Sequence, residues 1–331
     1  MRRAAPAIVV AVVLALAHTI APDPATAFGR TFPRECDGAV RAREVNKENL
    51  RGGTPVLFVH GFTGRPGNFR ATREGRPSML ETVADIPGAV PYTFDYSADA
   101  AQWVADPAIG PALAEAITCL ARRTGERVVV VAHSMGGLAT RFAQGQVIDG
   151  VPVADSLAHV VTVGTPTDGV LLLDFTNGEV SNAIVQTVVD AAGELCADPG
   201  DEERPRLCEL FDAANAPAVT AMAPGSPELE ALPEWGRAVV VDPVAADIKL
   251  RLSVLGFGTT ISLGDIVATV ESATADPSRG RRPLVVVCRD GLVDLAEVVD
   301  ESPCSHANEL ANRRIIRAVR DRVAESLHPT A

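Results

Sequence analysis

Val128-Val129-Val130-Val131-Ala132-His133-Ser134-Met135-Gly136-Gly137 is the stretch on which the reading of this 331-residue chain turns. Four consecutive valines are β-branched and apolar at both parities, the pattern of a strand buried on both faces. The run stops at Ala132-His133-Ser134, and Leu138 to Gln144 resumes helical character. A sharp strand-to-helix turn lifts the side chain at its apex clear of the sheet, and small neighbours relieve the crowding. The amino terminus of the following helix favours negative charge at that point. Ser134 sits at the apex and is the candidate nucleophile. A glycine-rich phosphate turn would read similarly, but neither G-x-G-x-x-G nor a Walker lysine accompanies this one.

The flanking segments extend the pattern. Upstream, Thr54 to Val59 (TPVLFV) reads as a buried strand ending at His60-Gly61, and a second strand is expected around Val90 to Tyr96. A helix follows from about Ala108 to Arg123, with Ile109, Leu113, Ile117 and Leu120 at helical spacing and Gly125 at its end. Downstream, His159 to Val163 is another strand, ending at Gly164-Thr165-Pro166. Strands alternating with helices across tight turns imply an α/β fold with a mostly parallel sheet covered on both faces. Such sheets carry their chemistry at the carboxyl ends of the strands, where His60, Ser134 and Thr165 fall.

From about Thr167 to Trp235 the alternation gives way to an acidic, proline-dotted stretch. It holds one amphipathic pattern, Val180 to Leu195, with Val180, Ile184, Val188 and Leu195 on the apolar face. This stretch is expected to be a cap inserted over the site. Alternation returns near Ala238 to Val241, and a basic amphipathic helix from Asn308 to Leu327 closes the chain.

Arg2 and Arg3 precede an apolar run from Ala7 to Ala17, then Pro22, Pro24 and the triplet Ala25-Thr26-Ala27. This reads as a signal peptide spanning 1–27, cut before Phe28, because the run falls short of the ~20 residues of a membrane span. The mature chain, 28–331, is then expected to be one secreted catalytic domain without a membrane anchor. Six cysteines, Cys36, Cys119, Cys196, Cys208, Cys288 and Cys304, all lie in that part with no close C-x-x-C pair, which favours structural disulfides. Sequence proximity pairs Cys196 with Cys208 and Cys288 with Cys304, leaving Cys36 for Cys119. The net charge of −12 repels phosphate backbones and anionic membranes. Nucleic acid is therefore not an expected partner, whereas a neutral substrate or lipid interface is compatible. Oligomeric state leaves no signal.

The chain resembles the lipase and esterase branch of the α/β-hydrolases, as found among secreted bacterial triacylglycerol lipases. The resemblance rests on His60-Gly61-Phe62, on Ala-His-Ser-Met-Gly-Gly at 132–137 and on a histidine near the C-terminus, and it covers most of the mature chain except the cap. Ala132 stands where the commonest family pattern has glycine, and several bacterial lipases resemble this chain there. The resemblance implies an oxyanion hole made by the backbone amides of Phe62 and Met135, which would stabilise charge on the carbonyl oxygen.

A general base must be a histidine, and elimination narrows six to one. His18 lies in the signal, His60 in the expected oxyanion loop, His133 beside the nucleophile, His159 at a strand and His328 in the tail. His306, in the loop before the last helix, remains. Two aspartates suit the orienting acid. Asp265, in Leu263-Gly264-Asp265-Ile266-Val267 with Ser272-Ala273 following, resembles one lipase version of the turn, and Asp290, in Arg289-Asp290-Gly291, resembles another. Asp265 is preferred because it leaves Pro283 to Cys288 (PLVVVC) free as the last strand. The expected activity is carboxylic-ester hydrolysis through an acyl-enzyme, with ester or lipid as substrate and with no cofactor or metal, although some related lipases carry a structural calcium. An acyltransferase of the same fold and a secreted non-catalytic binding protein are the alternatives.

Overall fold

The valines of the 128–131 run divide between the two faces of a sheet. Val128 and Val130 join one apolar cluster with Leu57, Val59, Leu113 and Ile117, while Val129 and Val131 join a second with Val56, Phe58, Met79 and Ile315. Successive side chains of a strand point to opposite faces, so a run apolar at both parities needs cover on both.

The computed structural model describes residues 36–44, 52–72, 75–170, 216–254, 257–262, 264–265, 267–275, 282–290 and 302–328. The expected signal peptide, the helix at 180–195 and the Cys196–Cys208 pairing lie outside the described residues. The strands are β1 (Ala39–Arg41), β2 (Thr54–Val59), β3 (Ala89–Phe94), β4 (Val128–His133), the small hairpin β5 (Val147–Ile148) and β6 (Val151–Pro152), β7 (Leu157–Val163), β8 (Val240–Val254), β9 (Phe257–Ser262) and β10 (Leu284–Asp290). The main sheet runs β1-β3-β2-β4-β7-β8-β10, with β9 paired to β8. From β3 to β10 that path is parallel, and β1 and β9 join it antiparallel.

Helices α1 (Met79–Ala84), α2 (Gly110–Thr124), α3 (Met135–Gln144), α4 (Pro217–Ala221), α5 (Pro227–Glu230), α6 (Val270–Ala273) and α7 (Arg313–Leu327) complete the described elements. Helix α2 packs Leu113, Ile117 and Leu120 on one face and ends at Gly125 in the left-handed region. On the opposite face of the sheet lie α1, capped by reciprocal Ser78 and Glu81 hydrogen bonds, and α7, which buries Ile315, Val319 and Val323. The segment 216–235, read as the end of a cap, packs Ala218, Met222, Leu229 and Trp235 into the same cluster as β2 and β4.

Several boundaries differ from expectation, each for a local reason. Helix α2 starts at Gly110 and not Ala108, because the Asp106 carboxylate holds the Ala108 N–H in a preceding turn. The closing helix starts at Arg313 and not Asn308. Residues Glu309–Ala311 form a separate 3-10 turn, and Asn312 caps α7 by accepting the Arg314 N–H. Strand β8 extends to Val254, far beyond Val241, and Asp242, Pro243 and Asp247 interrupt the apolar pattern that would have announced it. Among the described residues no helix is long and apolar enough to cross a membrane.

Candidate active site

Ser134 follows the last residue of β4 and precedes the first of α3, and its backbone adopts φ 54° and ψ −133°, a conformation L residues avoid. The turn is held from outside: the Ser134 N–H donates to Val163 O at 2.9 Å and the Thr165 hydroxyl donates to Ser134 O at 3.0 Å. Close approach makes two glycines obligatory. A Cβ on Gly136 would lie 2.4 Å from the carbonyl oxygens of both Val59 and His60, and one on Gly61 would lie 2.5 Å from Ser134 Cβ.

His306 reaches this turn from the loop before α7. Its Nε2 is 2.8 Å from Ser134 Oγ and its Nδ1 is 2.8 Å from Asp265 Oδ2. The backbone joins in, since the His306 N–H donates to Asp265 O at 2.9 Å. Asp265 is 1% exposed, and its other oxygen accepts the Val267 and Ala268 N–H groups at 2.9 and 2.6 Å. A carboxylate so committed is fixed in direction. Asp290, the other candidate acid, ends β10 in register with Leu250.

Behind the loop, Cys288 on β10 is bonded to Cys304, two residues before His306, and Cys36 is bonded to Cys119 on α2. Both pairings match expectation. Loop-closure entropy gives roughly 3 kcal/mol for the 16-residue separation and roughly 4 kcal/mol for the 83-residue one.

Opposite Ser134 stands the loop His60-Gly61-Phe62. The Tyr96 hydroxyl donates to His60 O, the Tyr96 N–H is 3.2 Å from His60 Nε2, and the two rings stack at 3.9 Å between centroids. Burial pushes the Tyr96 hydroxyl pKa up, keeping it a donor. Asp95 lies 3.8 Å from His60 Nε2; that neighbouring imidazole, and the hydrogen bonds from Ser97, bring its carboxyl down to about 2 against the effect of its own partial burial. Among the described turns and loops neither the Phe62 nor the Met135 N–H is used in a backbone bond. As the first residue of α3, Met135 has no intrahelical acceptor for its N–H.

Bacillus licheniformis lipase BlEst2 in its propeptide form is similar to this chain at a TM-score of 0.51 and 15% identity, over 86% of this chain and 53% of that one. Aspergillus fumigatus lipase B is similar at 0.51 and 14%, over 87% and 56%. The chain has the α/β-hydrolase fold. It spans just over half the length of those two proteins, and 97% of the mature form of BlEst2, at a TM-score of 0.49 and 14% identity. No protein-family model matches the chain, and no curated protein matches its sequence.

The fold also places near Ser134 two residues that the sequence did not mark. Glu309, three positions after His306, is fully buried with Oε1 2.9 Å from His133 Nε2 and 3.5 Å from His306 Nδ1. Its spacing from His306 on one turn was the available signal. Tyr96, two residues after β3, carried no signal pointing to His60. His133, His306 and Glu309 are the only described group of three that could supply metal ligands, their atoms lying within 4.8 Å of one another. Both ring nitrogens of His306 are already committed to Ser134 and Asp265, so the arrangement is a hydrogen-bonded network and not a vacant coordination shell.

Proposed function

We propose that this α/β-hydrolase is a secreted serine hydrolase that cleaves carboxylic esters, with lipids as the substrate class. The observation that carries the reading is the pair of 2.8 Å hydrogen bonds linking Asp265 to His306 and His306 to the backbone-strained Ser134. In this reading His306 Nε2 takes the hydroxyl proton of Ser134 as Oγ attacks the ester carbonyl. Asp265 fixes the tautomer that leaves Nε2 free and stabilises the imidazolium formed. The amides of Phe62 and Met135 receive the developing oxyanion. Collapse expels the alcohol, which takes the proton from His306, and water then hydrolyses the acyl-enzyme by the same route.

Several features support the choice of ester and compartment. The acidic surface disfavours phosphate-bearing polymers and tolerates a neutral substrate. The solved structures of like fold include proteins described as lipases. The apolar run before Ala25-Thr26-Ala27 and the disulfides among the described residues support export.

Hydrolysis of p-nitrophenyl esters of increasing acyl length by the mature chain, alongside Ser134→Ala, tests the reading. The expected result is turnover with the wild type, fluorophosphonate labelling of Ser134, and a loss of at least about 10⁴-fold in the variant. A folded wild type that neither turns over any ester nor takes the label overturns it and favours a binding protein.

A further inference from the structure

Two buried ionisable groups touch the Ser134–His306–Asp265 chain without a part in it. His133 is next to the nucleophile, and its ring centroid lies 4.7 Å from that of His306. Glu309 is 0% exposed and bridges them, with Oε1 2.9 Å from His133 Nε2 and 3.5 Å from His306 Nδ1. Its carboxyl also approaches that of Asp265. A Cβ on Gly164 would meet Glu309 Oε1 at 2.1 Å and Asp265 Oδ2 at 2.8 Å, so only glycine leaves room for the two acids side by side.

We propose that Glu309 is a positioning residue of this site: its buried carboxylic acid donates a hydrogen bond to His133 Nε2, and the pair forms an uncharged wall that holds His306 between Ser134 and Asp265. The inference rests on reading those three residues as the catalytic triad.

Three observations fix the direction of that hydrogen bond. The second oxygen of Glu309, Oε2, is buried and has no partner among the described residues. An orphaned oxygen on a neutral acid costs far less than one on a buried carboxylate. Among the described residues the groups facing Glu309 are Asp265, His306 and His133, while Arg70, on the 3-10 turn Pro66–Arg70 that packs against Glu309–Ala311, is committed to Glu44 at 2.6 and 3.1 Å. Among the described residues no cation is thus poised to neutralise an anion at this place. Burial first, and then the charge of Asp265, hold the Glu309 carboxyl well above the usual carboxylate range. Burial, with the charge of His306 next, holds His133 well below the usual imidazole range. Both groups are therefore neutral, and a proton placed on Oε2 would be left without an acceptor, so the acid donates from Oε1 and Nε2 accepts.

The neutral wall matters to the base. With Glu309 uncharged, Asp265 is the anion facing His306 Nδ1, and its two backbone N–H bonds keep it aligned. An ionised Glu309 at 3.5 Å would place a second anion on the same nitrogen and favour the protonated imidazole, which cannot accept from serine.

Infrared difference spectra of wild type minus Glu309→Gln at neutral pH should contain the deuterium-sensitive C=O stretch of a protonated buried carboxyl. Its absence overturns the proposal. In the pH profile of kcat/KM, Glu309→Gln should leave the acid limb unmoved with a loss of only a few-fold, because the amide still offers a donor to His133. A drop of the limb by about one pH unit or more would mean that a negative charge had been removed, and overturns it. Glu309→Leu offers no donor, and kcat should fall about tenfold at constant KM. Equal activity in the Leu, Gln and wild-type forms overturns the proposal. Should the Leu form fail to fold, the infrared band and the limb of the Gln form still decide. Failure of the underlying triad reading would show separately, as a wild type inert to esters and to fluorophosphonate.

Discussion

Two buried histidine–carboxylate pairs lie at opposite ends of the same strands, and they are closed by different partners. At the carboxyl end His306 pairs with Asp265 at 2.8 Å; toward the amino end His159 on β7 pairs with Asp242 on β8 at 2.9 Å. Both are nearly sealed from solvent. The difference is in what closes each pair. Arg322 of α7 approaches Asp242 at 3.7 Å, so a guanidinium balances the carboxylate. At the other end the second nitrogen of His306 meets the hydroxyl of a residue held at φ 54°, beside glycines that keep space open around it. A buried His–Asp pair is therefore no sign of catalysis alone. In the proposed reading, a strained hydroxyl on the far nitrogen is what separates a catalytic pair from an architectural one.

Substituting the two acids in parallel is the strongest way to break this comparison. Asp265→Asn should keep the fold and lower kcat by about 10⁴-fold, because the amide favours the wrong tautomer of His306. Asp242→Asn should leave kcat within about twofold yet lower unfolding stability by about 2–3 kcal/mol, the cost of a broken buried charge-assisted bond. Ester kinetics and urea unfolding of both variants check this, and equal kinetic losses would erase the distinction.

The two disulfides among the described residues sharpen it next. Replacing Cys36 and Cys119 by serine should lower stability by roughly 4 kcal/mol, read by thermal unfolding, with kcat retained at temperatures where the variant is folded. Replacing Cys288 and Cys304 should cost roughly 3 kcal/mol and also reduce kcat several-fold, because Cys304 anchors the loop that carries His306. On the opposite wall, Tyr96→Phe removes the hydroxyl bond to His60 O. We expect about 1 kcal/mol of lost stability and about a tenfold lower kcat at unchanged KM, separated by unfolding and steady-state kinetics.

The most gradual effect is one of pH. Glu309 is protonated in the fold, and in the unfolded chain it ionises above its ordinary value of 4.5, so its contribution to stability is present below that pH and is lost as pH rises. Glutamine has no such proton to take up. The Tm of Glu309→Gln relative to wild type should therefore rise steadily between about pH 4 and pH 8. A flat difference would mean that Glu309 titrates alike in both states.

Local pattern made much of this legible. The valine run announced β4, the small residues after it announced the turn at Ser134, and PLVVVC announced β10. Strand β8 was hidden because Asp242, Pro243 and Asp247 break its apolar pattern, and the start of α7 was placed too early because Asn312, four residues after Asn308, is the one that accepts an N–H. A propensity signal of that kind is overruled by whichever competitor finds a better partner.

What the sequence by itself determined was the α/β alternation, the strand-to-helix turn that presents Ser134, and, by elimination, the histidine that meets it. Side-chain period and turn chemistry act within a few residues and can be read without knowing the neighbours. Only the tertiary structure decided that Asp265 meets His306, that Glu309 lies against His133 across 176 positions, and that Tyr96 holds His60. Those contacts depend on the order of strands in the sheet and on the path of each loop from their ends, and no local period records either.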